Sequence, residues 1–186
     1  MRRLIAALFL AALASACATA PVAPARAPGD AAPLLHLSPA ALGRELALQQ
    51  HLEFRFGKQE QALDALLEAD AQDVRLAIQA MGQSALRLHW DGERLEQTRA
   101  DWVPSALQAE RVLSDLQLAY WPVAEIRAAL PAGWTLRETE GVRQLLQDTT
   151  VVTEVRMTAP DRIEITQHRD GYRLVIVSVP LSEPSP

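Results

Sequence analysis

The sequence predicts an α+β fold: a curved antiparallel sheet, rolled as an open half-barrel, with a central helical insertion covering its concave side. Three observations predict it. Period-two hydrophobicity recurs on both sides of the chain's middle, a proline-bracketed stretch of helical period interrupts it, and short turn signals join the strands. A sheet that buries one face must roll up or be covered, and two modest helices are the cover this chain offers.

The elements follow in chain order. Arg2 and Arg3 precede an apolar run over 4–14, and the small residues Ala14, Ser15 and Ala16 close it. That is the order of a secretory signal, too short to remain as a bilayer span. Cys17 is the chain's single cysteine, so it has no intramolecular disulfide partner. Small residues directly ahead of a cysteine resemble a bacterial lipobox, with Ala14 where Leu is favoured, and imply lipidation of Cys17. By the sorting rule of such lipoproteins, Ala18 in place of Asp implies the periplasmic face of the outer membrane. Pro21, Pro24, Pro28 and Pro33 then mark an extended Ala/Pro-rich tether. The expected division is a signal over 1–16, lipidated cysteine and tether over 17–33, body over 34–180 and frayed tail over 181–186.

Within the body, Leu48, Leu52, Phe54 and Phe56 alternate with Gln49, His51, Glu53 and Arg55, which predicts a half-buried strand over 48–56. Residues 57–60 read as a turn. Leu63, Ala65, Leu67 and Ala69 continue the alternation as a strand, although Ala, Leu and Glu there also suit a helix. Val74, Leu76 and Ile78 make the next strand. A turn at 82–84 leads to Leu86, Leu88 and Trp90, and Asp91-Gly92 is a hairpin signal with 95–99 as its polar return. This is an antiparallel meander with one apolar and one wet face. Pro104 opens a helix over 105–118, and Pro122 opens a shorter one over 123–130. Strands resume at 134–138, 142–146, 151–157, 163–167 and 172–179, and Pro180 ends the last.

The stretch Leu113-Ser-Asp-Leu-Gln-Leu-Ala-Tyr-Trp-Pro122 resembles the L-x-D-x-Q-L-x-x-W-P signature of a family of uncharacterised bacterial lipoproteins, domain of unknown function 3261. The Trp90-Asp-Gly92 turn before it and Tyr172-Arg-Leu-Val-Ile176 after it stand in the family's order, so the resemblance spans roughly residues 42–179. It implies a LolA/LolB-like half-barrel with an apolar cavity for acyl chains. Many members are encoded beside aryl-polyene or xanthomonadin-type pigment genes, which implies handling of a polyene lipid. The family has no established activity.

Composition narrows the partners. The net charge is -5 and no basic cluster follows Arg2 and Arg3, which argues against nucleic acid. His36, His51, His89 and His168 are scattered, with no metal-ligand spacing. No nucleophile elbow or phosphate loop is present, and Asp115 with Glu110 reads as a wet helical face rather than an acid pair. The expectation is therefore a protein that is not an enzyme and has no metal or cofactor. Its expected role is an outer-membrane lipoprotein that binds or shields a hydrophobic ligand, an acyl chain or polyene-lipid intermediate. The alternative is an envelope assembly lipoprotein that docks a protein partner.

Large apolar side chains make either a plain core or the lining of a cavity. The candidates for lining are Leu52, Phe54, Phe56, Leu76, Ile78, Leu88, Trp90, Trp102, Tyr120, Trp121, Ile165 and Ile176. Leu113, Asp115, Gln117, Trp121 and Pro122 form the motif. Asp115 is expected to anchor the insertion by accepting backbone N–H groups, and Gln117 to satisfy nearby sheet carbonyls.

Overall fold

The structure is a computed structural model that describes residues 31–103 and 107–181; the expected signal, Cys17, most of the expected tether, the expected helix start at 104–106 and the expected tail from 182 lie outside them. Its strands are β1 (Leu46–Phe56), β2 (Gln59–Ala69), β3 (Val74–Ala80), β4 (Gln83–Trp90), β5 (Leu95–Arg99), β6 (Trp134–Thr139), β7 (Val142–Gln147), β8 (Thr150–Ala159), β9 (Arg162–Gln167) and β10 (Tyr172–Pro180). They form a single open, curved sheet in the order β5-β4-β3-β2-β1-β10-β9-β8-β7-β6. Each half of the chain builds one half of the sheet. The antiparallel pairing of β1 with β10, from Leu48↔Pro180 to Phe56↔Tyr172, joins the halves.

The alternation forecast from sequence is the alternation seen. In β2, Leu63, Ala65, Leu67 and Ala69 are buried while Asp64 and Glu68 are exposed, which settles that segment as strand over its helix propensity. Turn chemistry fixes the registers. Met81 and Gly82 both have positive φ, as do Glu140 and Gly141, the requirement of the two-residue hairpins at those sites. Asp91 Oδ1 accepts from the Glu93 and Arg94 N–H groups, an Asx turn that makes the Asp-Gly signal physical. Register shifts at Ile78/Gln79, Leu145/Leu146 and Met157/Ala159 are the bends expected of a sheet that curls.

The helical insertion leaves from the β5 edge and returns at the β6 edge. Helix α1 spans Ala109–Tyr120 and α2 spans Val123–Ala129. The first starts later than the expected residue 105, because Gln108 is still extended, with φ -99° and ψ 136°. Both helices end one residue before the residue that precedes a proline. Trp121 and Leu130, ahead of Pro122 and Pro131, are held at ψ 154° and 136° by the pre-proline clash. The expected ends at 118 and 130 are corrected accordingly.

The compact body begins at Ala31, ahead of the boundary expected at residue 34. Ala32, near the end of the expected tether, and Leu35 and Leu37, at the start of the expected body, are buried in the core. We call Ala31–Ser38 the strap. A 3-10 turn, Pro39–Leu42, joins it to β1.

Candidate functional site

Helix α1 lies across the inner face of the central strands, and its placement is chemical as well as apolar. The Tyr120 hydroxyl meets Gln50 Nε2 at 2.9 Å and lies 3.3 Å from Ser178 Oγ, and these two residues are cross-strand partners on β1 and β10. At the helix C-terminus, Arg143 Nη1 donates to the carbonyls of Leu118, Ala119 and Trp121 at 2.9, 3.1 and 2.9 Å. A cation placed there satisfies carbonyls that the helix leaves without partners and complements its dipole. Arg143 is an inward residue of β7, opposite Val155, and nothing in its local sequence marks it as a cap.

The motif's face toward the strap is a row of hydrogen-bonding groups at helical spacing. Arg111 Nη2 donates to the Ala32 carbonyl at 2.7 Å, and Ser114 Oγ accepts from the Leu35 N–H at 3.1 Å. Gln117 accepts from the Leu37 N–H at 3.0 Å and donates to the Leu37 carbonyl at 2.9 Å. Trp121 Nε1 donates to the Ser38 carbonyl at 3.0 Å. Positions i, i+3, i+6 and i+10 fall close to one helical face, so α1 grips an extended chain running alongside it. Trp90 adds a bond from the sheet, donating its indole N–H to the Leu37 carbonyl at 2.8 Å. Gln117 therefore serves the strap rather than sheet carbonyls.

Asp115 departs from expectation too. It accepts the Tyr172 hydroxyl rather than backbone N–H groups. Burial pushes its carboxyl up to about 6, opposed by the Tyr172 hydrogen bond and by the Arg111 charge. Burial, and then the Asp115 charge, push the Tyr172 hydroxyl up as well, so it stays protonated and donates.

The candidate lining residues separate into groups. Leu52, Leu76, Ile78, Leu88, Trp90, Trp121, Ile165 and Ile176 are all buried in one core with Leu113. Phe54 and Tyr120 are partly buried against it. Phe56 faces the same side yet is 44% exposed, at the end of the trough. Phe54 and Tyr172 stack there with ring centroids 5.6 Å apart. Trp102 is corrected: it sits in the turn after β5, 46% exposed and outside the core. Pro122 precedes α2 as its cap residue. His51 and His89 face outward, beside Asp64 at 3.1 Å and Asp73 at 3.5 Å.

One rung of the inner face carries groups that the motif does not include. Register places Phe56 opposite Tyr172, Tyr172 opposite Gln167 and Gln167 opposite Thr153. Gln167 and Thr153 are each 1% exposed. Thr153 Oγ1 and both amide atoms of Gln167 lack hydrogen-bond partners. The Gln167 amide is near enough to the Tyr172 hydroxyl to favour its ionised form slightly, yet the contact falls short of hydrogen-bond geometry. Each such unmade bond costs about 1–3 kcal/mol. The signal was present in the sequence, as polar residues on the apolar stripes of Ile163, Ile165 and Val155.

A separate open groove of about 480 Å³ lies over the outer side of β2–β5, lined by Glu68, Arg75, Arg87 and His89 among others. It lies on the wet face, although Leu66, Ala77 and the edges of Leu76 and Leu88 contribute to its lining. Among the described residues, no group of three or more His, Cys, Asp or Glu side chains could hold a metal ion, and no helix is long and apolar enough to cross a membrane.

No curated protein matches the sequence significantly. The model of one family does match, over residues 47–180, from the second residue of β1 to the last of β10. The sheet, the strap-gripping helix and the inner polar rung are thus features of a chain that belongs to DUF3261, a family described as proteins of unknown function.

Proposed function

We propose that the body is a non-catalytic lipoprotein module that binds or shields a hydrophobic ligand, an acyl chain or polyene-lipid intermediate, in the trough of a LolA/LolB-like half-barrel. Its lipid anchor would be Cys17, at the periplasmic face of the outer membrane. The observation that carries this reading is the aromatic mouth. Phe56, Phe54 and Tyr172 are inward-facing residues at one end of the sheet's inner face, and Phe56 is left 44% exposed. An apolar chain laid there removes area from water at about 25 cal/mol per Å², with no directed bonds required.

The same geometry limits where the ligand sits. Strap residues Leu35 and Leu37 are buried with Trp90 and Trp121, so that end is filled by the protein itself. The ligand end is the one rimmed by β1, β10 and β9.

The test is mass spectrometry of lipid extracted from protein purified out of its native host. A hydrocarbon-rich species is expected at near one per chain, whereas recovery of the protein free of lipid with a stoichiometric protein partner would favour docking and contradict the reading.

A further inference from the structure

We propose that the Thr153–Gln167 pair is a head-group site, which takes the neutral end of an apolar ligand carrying a donor and an acceptor side by side. An undissociated carboxyl or a primary amide has that chemistry. The inference rests on the lipid-binding reading above and deepens it.

Three orphaned atoms define the site. Gln167 offers an N–H donor at Nε2 and an acceptor at Oε1, both buried and both without partners, and Thr153 Oγ1 beside it is equally bare. A side-chain amide is matched on both atoms at once by a group whose carbonyl accepts and whose own N–H or O–H donates, closing a ring of two hydrogen bonds. Thr153 supplies a third contact from the neighbouring strand. The Tyr172 hydroxyl donates to Asp115, and its contact with the Gln167 amide falls short of hydrogen-bond geometry, so it leaves that amide unsatisfied.

Position agrees with chemistry. The rung runs from exposed Phe56 through Tyr172 to Gln167 and Thr153, and each strand step is about 4.8 Å. The paired residues therefore lie one and two strand steps, about 5 and 10 Å, along the row from Tyr172 at the aromatic mouth. A ligand's hydrocarbon would rest on Phe54, Leu174 and Ile165 in the adjacent row, which is apolar throughout these strands.

The experiment uses the full chain carrying Cys17→Ser, stripped of bound lipid, and titrates it with oleamide and with methyl oleate. The two probes share a hydrocarbon chain, but the ester lacks a donor. Oleamide is expected to bind about tenfold more tightly than the ester. In Gln167→Leu the ratio should fall to about one, with amide affinity losing more than ester affinity because the ester loses only the bond its carbonyl accepts. Thr153→Val, an isosteric change, should narrow the ratio and guards against misfolding of the first variant. Equal affinities in the unaltered chain, or a ratio untouched by both variants, overturn the head-group site while leaving lipid binding in place; a water then occupies the rung. Binding of neither probe overturns both readings.

Discussion

Trp121→Ala is expected to destabilise the body by about 3–5 kcal/mol, the range for deleting a fully buried large aromatic side chain. Trp121 is completely buried, and its indole N–H also holds the Ser38 carbonyl, so the variant loses packing and a strap bond together. A loss of that size is a large share of the 5–15 kcal/mol typical of a domain. Urea unfolding at neutral pH measures it. Trp102→Ala is the internal comparison, and it should stay within about 0.5 kcal/mol because Trp102 stands outside the core. If the two tryptophans cost the same, α1 and the strap are not the keystone of the concave side.

Asp115→Asn should change the pH dependence of stability more than any other single substitution. The folded carboxyl sits near 6 against an ordinary 3.8. Between those values the folded chain keeps a proton that the unfolded chain has released, so stability falls as pH rises through about 6 and stays lower above it. The penalty at neutral pH is on the order of 2–3 kcal/mol. Asparagine keeps an acceptor for Tyr172 and carries no charge to desolvate. The variant should therefore be more stable than the native chain at pH about 7.5, by about 1–3 kcal/mol, and close to it only below pH about 3.8. Glu154 and Glu164, whose carboxyls are held low by Gln144 and Arg173, affect both chains alike and cancel in the difference. A difference that does not vary with pH would show that Asp115 is charged throughout or already neutral at pH about 7.5.

Much of the sheet was legible because alternation is a local property. Leu63, Ala65 and Leu67 face inward for the reason a strand alternates, and Asp91-Gly92 turns for reasons contained in two residues, whereas the turn expected at 82–84 falls one residue earlier, on Met81-Gly82. Helix ends were less legible, since Pro122 and Pro131 act on the residue before them and nothing local forbade a start at residue 105. The roles of the motif residues were not legible at all. Ser114, Gln117 and Trp121 bind backbone atoms about eighty residues away, in the stretch between the expected tether and the first expected strand. Arg143 and the Gln167–Thr153 pair were visible as polar interruptions of apolar stripes, but only cross-strand register shows which groups they meet. Trp102 misled because aromatic content says nothing of which side of a turn a ring lands on.

The most direct measurement of the central claim is photolabelling with a diazirine fatty acid, followed by mapping of the modified residues. Occupation of the trough's aromatic end predicts adducts at Phe54, Phe56, Tyr172 and Leu174, suppressed by excess unlabelled fatty acid. Adducts confined to the outer groove of β2–β5, or labelling that excess fatty acid does not suppress, would contradict it.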